Sequence, residues 1–505
     1  MAVTFFFFQI TSDSILTVHD DILTYMQVRE GNLLQTALSD AKHGRICHIP
    51  LTFLLYIPYI FNSGLIVRIC AAAAIIFDMY AFYTLIRKNV DKSAAYVSCL
   101  LFISFACISN QHNLFVAYII GHQIGIGLVM FSLDSFLSYY KIQKNSKLIL
   151  SAVLLFAAAS LYEAMAVYII VFVILAMYKN KGNIFENCIK IISNLRFHIL
   201  FLIAYVIIYF TWQSFFPSDY DGAQLYFGNI PQSIVTILTY SFGMIPGLPL
   251  AAMLYKNTIS LTDIPGMIDI KMMIAAILAA TAFFFVFPKI NLHKKSKILI
   301  ILCISGILIP NIIVGFTSKY VSWSQQKSYA YVTSFYSYFF IISLAVIIMH
   351  LIYRNNKIQK PALVVMSILV FIISLLCCIN NKSWNSIFEK QLKRYEAFYH
   401  AVSDDYFDNI EDGTIIYIPD YTGIHNDMNI TKTYASIYTS RDITFKNDKS
   451  AIDFSKPVIC MRYDEVSGAM FIGHIGPDFI SSDLYICGEY DSAVPKSINM
   501  ETIFK

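Results

Sequence analysis

The sequence predicts an all-α polytopic membrane bundle of about ten to twelve transmembrane helices, followed by a smaller water-soluble α/β domain. Hydrophobic residues make up 57% of the 505 residues and charged residues only 14%, whereas a soluble domain carries roughly 25% charged residues. Upstream of residue 380, apolar runs approach the ~20 residues that cross a bilayer. Residues 383–505 have an ordinary soluble composition, with short strand-like runs such as TIIYIP and KPVICMRY. We therefore predict a transmembrane domain over 1–380 and a soluble domain over 383–505.

Apolar runs place the individual helices of the bundle. They lie at 65–86, 94–110, 114–139, 148–161, 164–178, 197–215, 272–288, 298–316, 332–353 and 361–379. The segment 233–255 is also apolar, but two prolines and two glycines in GMIPGLPL interrupt it. Proline removes a backbone donor, and irregular backbone at membrane depth must be satisfied by protein or water. We predict two half-helices here that enter the membrane from outside, line the outer cavity and return.

Lysine and arginine residues cluster on alternate loops. Five short connections hold seventeen of them, whereas the loop 216–232 has none. They are Arg87, Lys88, Lys92, Lys141, Lys144, Lys147, Lys179, Lys181, Lys190, Arg196, Lys289, Lys294, Lys295, Lys297, Arg354, Lys357 and Lys360. Because cytoplasmic loops are enriched in these residues, we place the five connections inside, which requires that 233–255 does not cross. The loops 11–64 and 317–331 and the domain 383–505 then lie outside the plasma membrane.

The N-terminus and the cysteines add two smaller expectations. Residues 1–10 are too few to span a bilayer and carry no basic segment typical of a signal peptide. They are either half of a first helix or, as we favour, preceded by a true N-terminus upstream. The ten cysteines show no zinc-binding spacing. Cys460 and Cys487 lie in strand-like segments of the soluble domain, and the sequence leaves open whether they pair.

Three polar residues, His19, Asp20 and Asp21, follow the first apolar stretch directly, at the predicted outer boundary. Two adjacent carboxylates at the edge of the low-dielectric membrane interior resist joint ionisation. The presence of both Asp20 and Asp21 at this position therefore favours a functional role. The alternative is a polar helix cap in an exposed loop, where Asp is common.

Glu163 lies between two apolar runs, in SLYEAM. If the two runs form a tight hairpin, Glu163 lies at its outer tip and faces the same compartment as Asp20. Acids at such positions are functional candidates, with a hydrogen-bonded structural role as the alternative. For the other polar residues in or near spans we expect interhelical hydrogen bonds or helix-end positions. These residues are Arg68, Asp78, His122 and Asp134.

Taken together, these features resemble the GT-C superfamily of membrane glycosyltransferases. The matching features are Asp20 and Asp21 at the end of a first helix, a long amphipathic outer loop, Gly44 and Arg45 within it, and Tyr162-Glu163 after a later span. Within the superfamily the sequence is most similar to the bacterial serotype-converting glucosyltransferases, which use polyprenyl-phosphate-linked sugars. The resemblance covers residues 12–165 by motif and the remainder by topology alone.

The resemblance implies an inverting transfer of a sugar from a polyprenyl-phosphate carrier. Such a transfer needs a base for the acceptor hydroxyl and positive charge for the departing phosphate. Asp20 or Asp21 would be the base and Glu163 would assist. Arg45 would hold the phosphate, because a guanidinium fork matches its geometry. The other expected substrate-binding residues are His19, Tyr162, Lys319 and Lys327. Both lysines also fit as interfacial anchors.

The expected partners are the lipid-linked donor, a glycan or lipid acceptor and the bilayer, with no nucleic acid. No metal ligands are predicted, since no metal-binding motif is present, although the resemblance is compatible with Mg²⁺ or Mn²⁺ as cofactor. Two other functions stay open. A lipid or solute transporter or flippase would need buried charge pairs along a midplane pathway. A non-catalytic assembly protein of surface-polysaccharide synthesis would lack an open cavity above Asp20.

Overall fold

The structure is a computed structural model in which the chain forms two compact units. It describes residues 31–403 except 44, 62–63, 111, 181–183, 218–225, 293–295, 327–328 and 356–357, together with 21, 24–25, 27–28, 407–419, 431–432, 435–436, 439–464, 469–478 and 485–487. One unit comprises the described residues of Leu33–Trp384, and the other those of 13–32 and Asn385–Lys505.

Helices are the main elements of the first unit in the part that the structure describes. Its helices are α1 Leu33–Lys42, α2 Thr52–Ile60, α3 Gly64–Asn89, α4 Lys92–Ser104, α5 Gly121–Ile142, α6 Asn145–Leu161, α7 Ile169–Lys179, α8 Ile184–Phe215, α9 Ile230–Phe242, α10 Leu248–Tyr255, α11 Ile264–Met267, α12 Ile270–Val286, α13 Ser296–Leu308, α14 Ile312–Gly315, α15 Ser318–Gln325, α16 Val332–Tyr353 and the first part of α17 Gln359–Ser403.

Six of the described helical segments are long and apolar enough to cross a membrane. They are Leu65–Asn89, Cys188–Phe215, Ile270–Lys289, Lys297–Gly315, Val332–Tyr353 and Gln359–Lys390. Two shorter apolar helices, α4 and α6, accompany them. Large hydrophobic side chains remain exposed along them, as expected where lipid rather than water is the solvent. The chain is a multi-pass membrane protein, and the predicted class, a helical bundle with a small C-terminal sheet, is confirmed.

Helix α5 connects two chemically different ends of the bundle. Near its C-terminus, Lys141 donates to the side chain of Asn89 at 2.8 Å, and Asp134 accepts from Lys88 at 2.9 Å. The interhelical role predicted for Asp134 is therefore confirmed. His122 lies at the opposite end of α5, and a helix of 22 residues is about 33 Å long, close to the hydrocarbon thickness of a bilayer. Lys88 and Lys141 thus lie at one end of the bundle, and His122 marks the other end.

Between α4 and α5 the structure differs from the prediction made from the sequence. The spans predicted at 94–110 and 114–139 instead end at Ser104 and begin at Gly121. Two side chains of α17 satisfy the intervening backbone: Asn381 accepts from the amide of Ile108 and donates to the carbonyl of Ala106, both at 2.9 Å. Asn380 donates to the Ile108 carbonyl at 2.8 Å. Because buried backbone groups need partners, these amides replace the bonds that a continuous helix would supply.

The helix over 233–255 is broken where the sequence predicted. Helix α9 ends at Phe242 and α10 begins at Leu248. Gly247 has a φ of +88°, a left-handed conformation that glycine adopts without steric cost. A Cβ on Gly243 would overlap the carbonyl oxygen of Tyr329. The predicted entry into the membrane and return remain a prediction.

The second unit contains a five-stranded mixed sheet. Its strands are β1 Ile415–Tyr417, β2 Thr444–Lys446, β3 Val458–Tyr463, β4 Met470–His474 and β5 Tyr485–Cys487, in the order β2-β1-β3-β4-β5. Strand β1 pairs in parallel with β2 and β3, and the other neighbours are antiparallel. One core packs this sheet against Phe398 and Phe407.

The structure decides against a bond between Cys460 and Cys487. Cys460 is buried on β3, Cys487 is on β5, and β4 lies between them. Strands two apart are separated by about 9–10 Å, beyond the reach of a disulfide.

Candidate functional site

Arg45 lies between two carboxylates at the end of the bundle opposite Lys141. Its Nε is 3.4 Å from Oε2 of Glu163, and an η nitrogen is 3.5 Å from Oδ1 of Asp40. The Arg45 side chain is 17% exposed and that of Glu163 33% exposed, so both can meet a ligand. Arg45 also lies 5.7 Å above the centroid of the Tyr162 ring. We call Asp40, Arg45, His48, Tyr56, Tyr162 and Glu163 the Arg45 cluster.

A hydrogen-bonded pair of rings holds Asp40 in the cluster. Its Oδ2 accepts from the Tyr56 hydroxyl at 2.5 Å and lies 3.0 Å from Nδ1 of His48. Burial alone would raise the pKa of the Asp40 carboxyl, but its charged and hydrogen-bonding partners, His48 foremost, outweigh burial and lower that pKa well below its usual range. Asp40 therefore stays ionised and fixes the negative charge that faces Arg45.

Local backbone explains why these side chains meet. Helix α1 ends at Lys42, two residues beyond Asp40, and a 3₁₀ turn follows Arg45 at Ile46–His48. The Nε2 atom of His48 lies 3.2 Å from the carbonyl oxygen of Leu161, the last residue of α6. Tyr162 is extended and Glu163 opens the next 3₁₀ turn. His48 thus joins the first loop to the α6–α7 turn and brings Arg45 to Glu163.

A row of aromatic rings leads away from the Arg45 cluster. The ring centroids of Tyr162 and His122 are 4.5 Å apart, and those of His122 and Tyr118 4.9 Å. The Tyr118 hydroxyl lies 2.8 Å from Nδ1 of His112, and His112 stacks on Trp323 with centroids 5.4 Å apart. We call these five residues the aromatic row.

The structure brings together some of the predicted site residues. Arg45, Tyr162 and Glu163 meet in the cluster, and Glu163 lies at the tip of the turn after α6, as predicted. Nζ of Lys319 lies 5.4 Å above the Trp323 ring, at the far end of the aromatic row. Of the remaining candidates, His19, Asp20 and Lys327 lie outside the described residues, and Asp21 is a buried residue of the second unit.

Sequence reasoning missed Asp40, His48 and Tyr56. In the sequence, Asp40 is one of several acids in a polar loop. Only its position on one side of Arg45, with His48 on the other side, could have identified it as a candidate site residue. The carboxylates of the cluster do not fit a divalent cation, because the Arg45 guanidinium lies between them and would repel it. Among the described residues no three His, Cys, Asp or Glu side chains are grouped to hold a metal ion.

Comparisons with known proteins give distant structural likenesses. No family model matches the chain, and no curated protein matches it. The chain is similar to the crystal structure of ArnT from Cupriavidus metallidurans bound to undecaprenyl phosphate, with a TM-score of 0.41, 11% identity and 92% of each chain covered. The apo state of that ArnT gives a TM-score of 0.30 at 10% identity, over 83% of this chain and 82% of that chain. The oligosaccharyltransferase of Archaeoglobus fulgidus, tethered with an acceptor peptide, gives a TM-score of 0.32 at 13% identity, over 78% of this chain and 55% of that chain.

Proposed function

We propose that this protein transfers a sugar from a polyprenyl-phosphate-linked donor to a cell-surface glycan or glycolipid at the outer face of the plasma membrane. The transfer is inverting, in the manner of the GT-C glycosyltransferases and of their serotype-converting type. The observation that carries the proposal is the position of Arg45 between Asp40 and Glu163, at the end of the bundle opposite Lys141. A cation held there can meet a phosphate at the membrane surface.

The reaction makes one bond and breaks one. A carboxylate, Asp20 or Asp21, takes the proton from the acceptor hydroxyl, and the oxygen attacks the anomeric carbon of the sugar. The bond from that carbon to the phosphate oxygen breaks, and polyprenyl phosphate leaves with the electron pair. Arg45 stabilises the negative charge on the leaving phosphate, since it donates in a planar fork.

Arg45 must change partners when the donor binds. Its contacts with Asp40 and Glu163, at 3.5 and 3.4 Å, are longer than the about 2.7–2.9 Å of a strong charge-assisted hydrogen bond. A donor phosphate replaces Glu163 at the guanidinium, while Asp40 keeps Arg45 in place. The released Glu163 carboxylate then accepts a hydrogen bond from a sugar hydroxyl. Tyr162 supplies an aromatic face below the guanidinium, and His19, Lys319 and Lys327 complete the proposed substrate-binding set.

Donor consumption tests this function directly. The protein in lipid nanodiscs is given radiolabelled undecaprenyl-phosphate glucose and surface polysaccharide from cells that lack the protein, and released undecaprenyl phosphate is counted. Loss of a general base typically slows a reaction by ~10²–10⁴, so Asn at either Asp20 or Asp21 should have this effect. Asp263→Asn, at an exposed residue, is the matched control. Near wild-type turnover by both Asn variants would remove the pair from the mechanism, and an inactive wild-type protein would contradict the function.

A lipid or solute transporter is the alternative that one observation favours. Asp78 is completely buried within α3, and intramembrane acids often mark ion pathways. Transport moves the lipid-linked sugar without breaking its phosphate bond, so the same assay separates the two functions: a transporter leaves the donor intact.

A further inference from the structure

A cavity of the helical unit lies where α10 meets the loops after α4 and α15. Its volume is about 460 Å³, within the range of about 300–1,000 Å³ for small-molecule sites. Both aromatic and polar side chains line it. Those that matter for its chemistry are Asn110, His112, Lys256, Trp323, Tyr329 and Trp384.

Four of the residues that line this cavity are aromatic. His112 stacks on Trp323 with centroids 5.4 Å apart, and Trp384 lines the cavity with them. Nζ of Lys256 lies 5.3 Å above the ring of Tyr329, and Lys256 itself is exposed. Aromatic residues that combine a broad apolar face with a polar edge suit ligands that are apolar on one side and polar on the other.

Asn110 supplies a polar group that lacks a protein partner. Its amide nitrogen donates to the carbonyl of Ala330 at 2.5 Å, which fixes the orientation of the side chain. Its Oδ1 atom is buried and has no hydrogen-bond partner within the part of the chain that the structure describes. A buried acceptor left unpaired is costly. A ligand hydroxyl in the cavity would remove that cost.

We propose that this cavity binds a saccharide. A pyranose ring has an apolar face of C–H bonds that covers an indole, and a rim of hydroxyls that pair with the Asn110 carbonyl and the Lys256 ammonium. A prenyl or acyl chain would instead need walls like those of the groove between α12 and α17, which Ile277, Phe284 and Ile368 line.

The saccharide is assigned to the acceptor glycan. His112 belongs both to this cavity and to the aromatic row, which ends at Tyr162 in the Arg45 cluster. An oligosaccharide held against Trp323 therefore lies at one end of the run of ring contacts that reaches the donor site, in which His122 and Tyr162 are buried. Only this assignment to the acceptor rests on the proposed function, because saccharide binding itself needs no donor and no turnover.

Tryptophan fluorescence gives a direct test. The chain has three tryptophans, of which Trp323 and Trp384 line the cavity, whereas Trp212 lies on α8. In Trp212→Phe, essentially all indole emission reports on the cavity. The variant in nanodiscs is titrated with maltose, cellobiose, N,N′-diacetylchitobiose and an acid hydrolysate of the cells' own surface polysaccharide. We expect a saturable change in emission with at least one of these probes.

Two substitutions in the Trp212→Phe background locate the binding. Lys256→Ala should weaken the apparent affinity about tenfold, and Trp323→Ala should weaken it further, with Trp384 as the remaining reporter. Trp323→Phe keeps a flat ring and should bind between these limits. Lys271→Ala, at an exposed lysine that does not line the cavity, should bind as its parent does.

Three outcomes would overturn the saccharide assignment. They are no emission change with any saccharide, equal saccharide affinities of the Lys256→Ala and Lys271→Ala variants, or a saturable emission change with undecaprenyl phosphate and with no saccharide. The last would make the cavity a carrier-phosphate site. If the protein binds a saccharide but consumes no donor, the proposal for the cavity is supported and the proposed transferase function is contradicted. If the protein consumes donor but binds no saccharide, the transferase function is supported and the proposal for the cavity is contradicted.

Discussion

Arg45 and Glu163, 118 positions apart in the sequence, approach to 3.4 Å between Nε and Oε2. The contact joins the first loop to the turn after α6, at the end of the bundle opposite Lys141. A guanidinium so held can exchange one carboxylate for a phosphate without leaving its place, because Asp40 provides a second anchor.

Arg45 variants test that exchange. Arg45→Lys keeps the charge but loses the fork, so we expect donor use to fall about tenfold, whereas Arg45→Ala should lower it about a hundredfold or more. The measurement is kcat/KM for the lipid-linked donor. Arg87→Ala, at an exposed arginine at the end of α3, is the control. Equal activity of wild type, Lys and Ala proteins would make Arg45 a headgroup anchor.

Asp40 predicts a pH signature in stability. Its pKa in the folded protein lies below the ordinary value of about 3.9, so its ionised form stabilises the fold above that value, and the contribution is lost as the pH falls toward the folded pKa. Asp40→Asn should lower the free energy of unfolding by about 1–3 kcal/mol at neutral pH. The difference from wild type should be the same at pH 7 and pH 5 and shrink at pH 3.

Thermal unfolding followed with a thiol-reactive dye measures this difference, with Asp263→Asn at an exposed acid as the matched variant. A gap between wild type and Asp40→Asn that grows on acidification would mean that Asp40 is protonated in the folded protein.

Gly243 tests the break between α9 and α10. A methyl group there would meet the Tyr329 carbonyl, which is backbone and cannot rotate away. Gly243→Ala should therefore destabilise the protein by about 1–3 kcal/mol, as overpacking does. Gly266→Ala is the control, because a Cβ at Gly266 meets nothing within 4 Å. Unchanged melting of both proteins would show that the two segments are not held in this close approach.

Membrane orientation can be tested with one native and one introduced cysteine. Cys188 is exposed and lies in a basic connection, so a membrane-impermeant maleimide should reach it only after lysis. Ser455→Cys, in the second unit, should react in intact cells. Labelling of Cys188 before lysis together with protection of position 455 would reverse the predicted orientation of every loop.

The sequence alone determined the helical class of this protein and the break in the helix over 233–255. Both follow from local composition: a long apolar run can satisfy its backbone only within its own helix, and Pro and Gly interrupt that pattern where they stand. Arg45 and Glu163 were also candidates from the sequence: Arg45 through the resemblance that its segment carries, and Glu163 as an acid between two apolar runs.

Only the tertiary structure decided which of these residues meet. The backbone over 105–120 leaves the helix because Asn380 and Asn381, some 270 positions away, pair with it. Hydrogen bonds from His48 and Tyr56 hold Asp40 beside Arg45. Strand β4 lies between the strands that carry Cys460 and Cys487. The backbone over 105–120 depends on partners distant in sequence, whereas Asp40 depends on partners 8 and 16 positions away. In both cases residue type and spacing do not specify which groups the packing of the chain brings within hydrogen-bond reach.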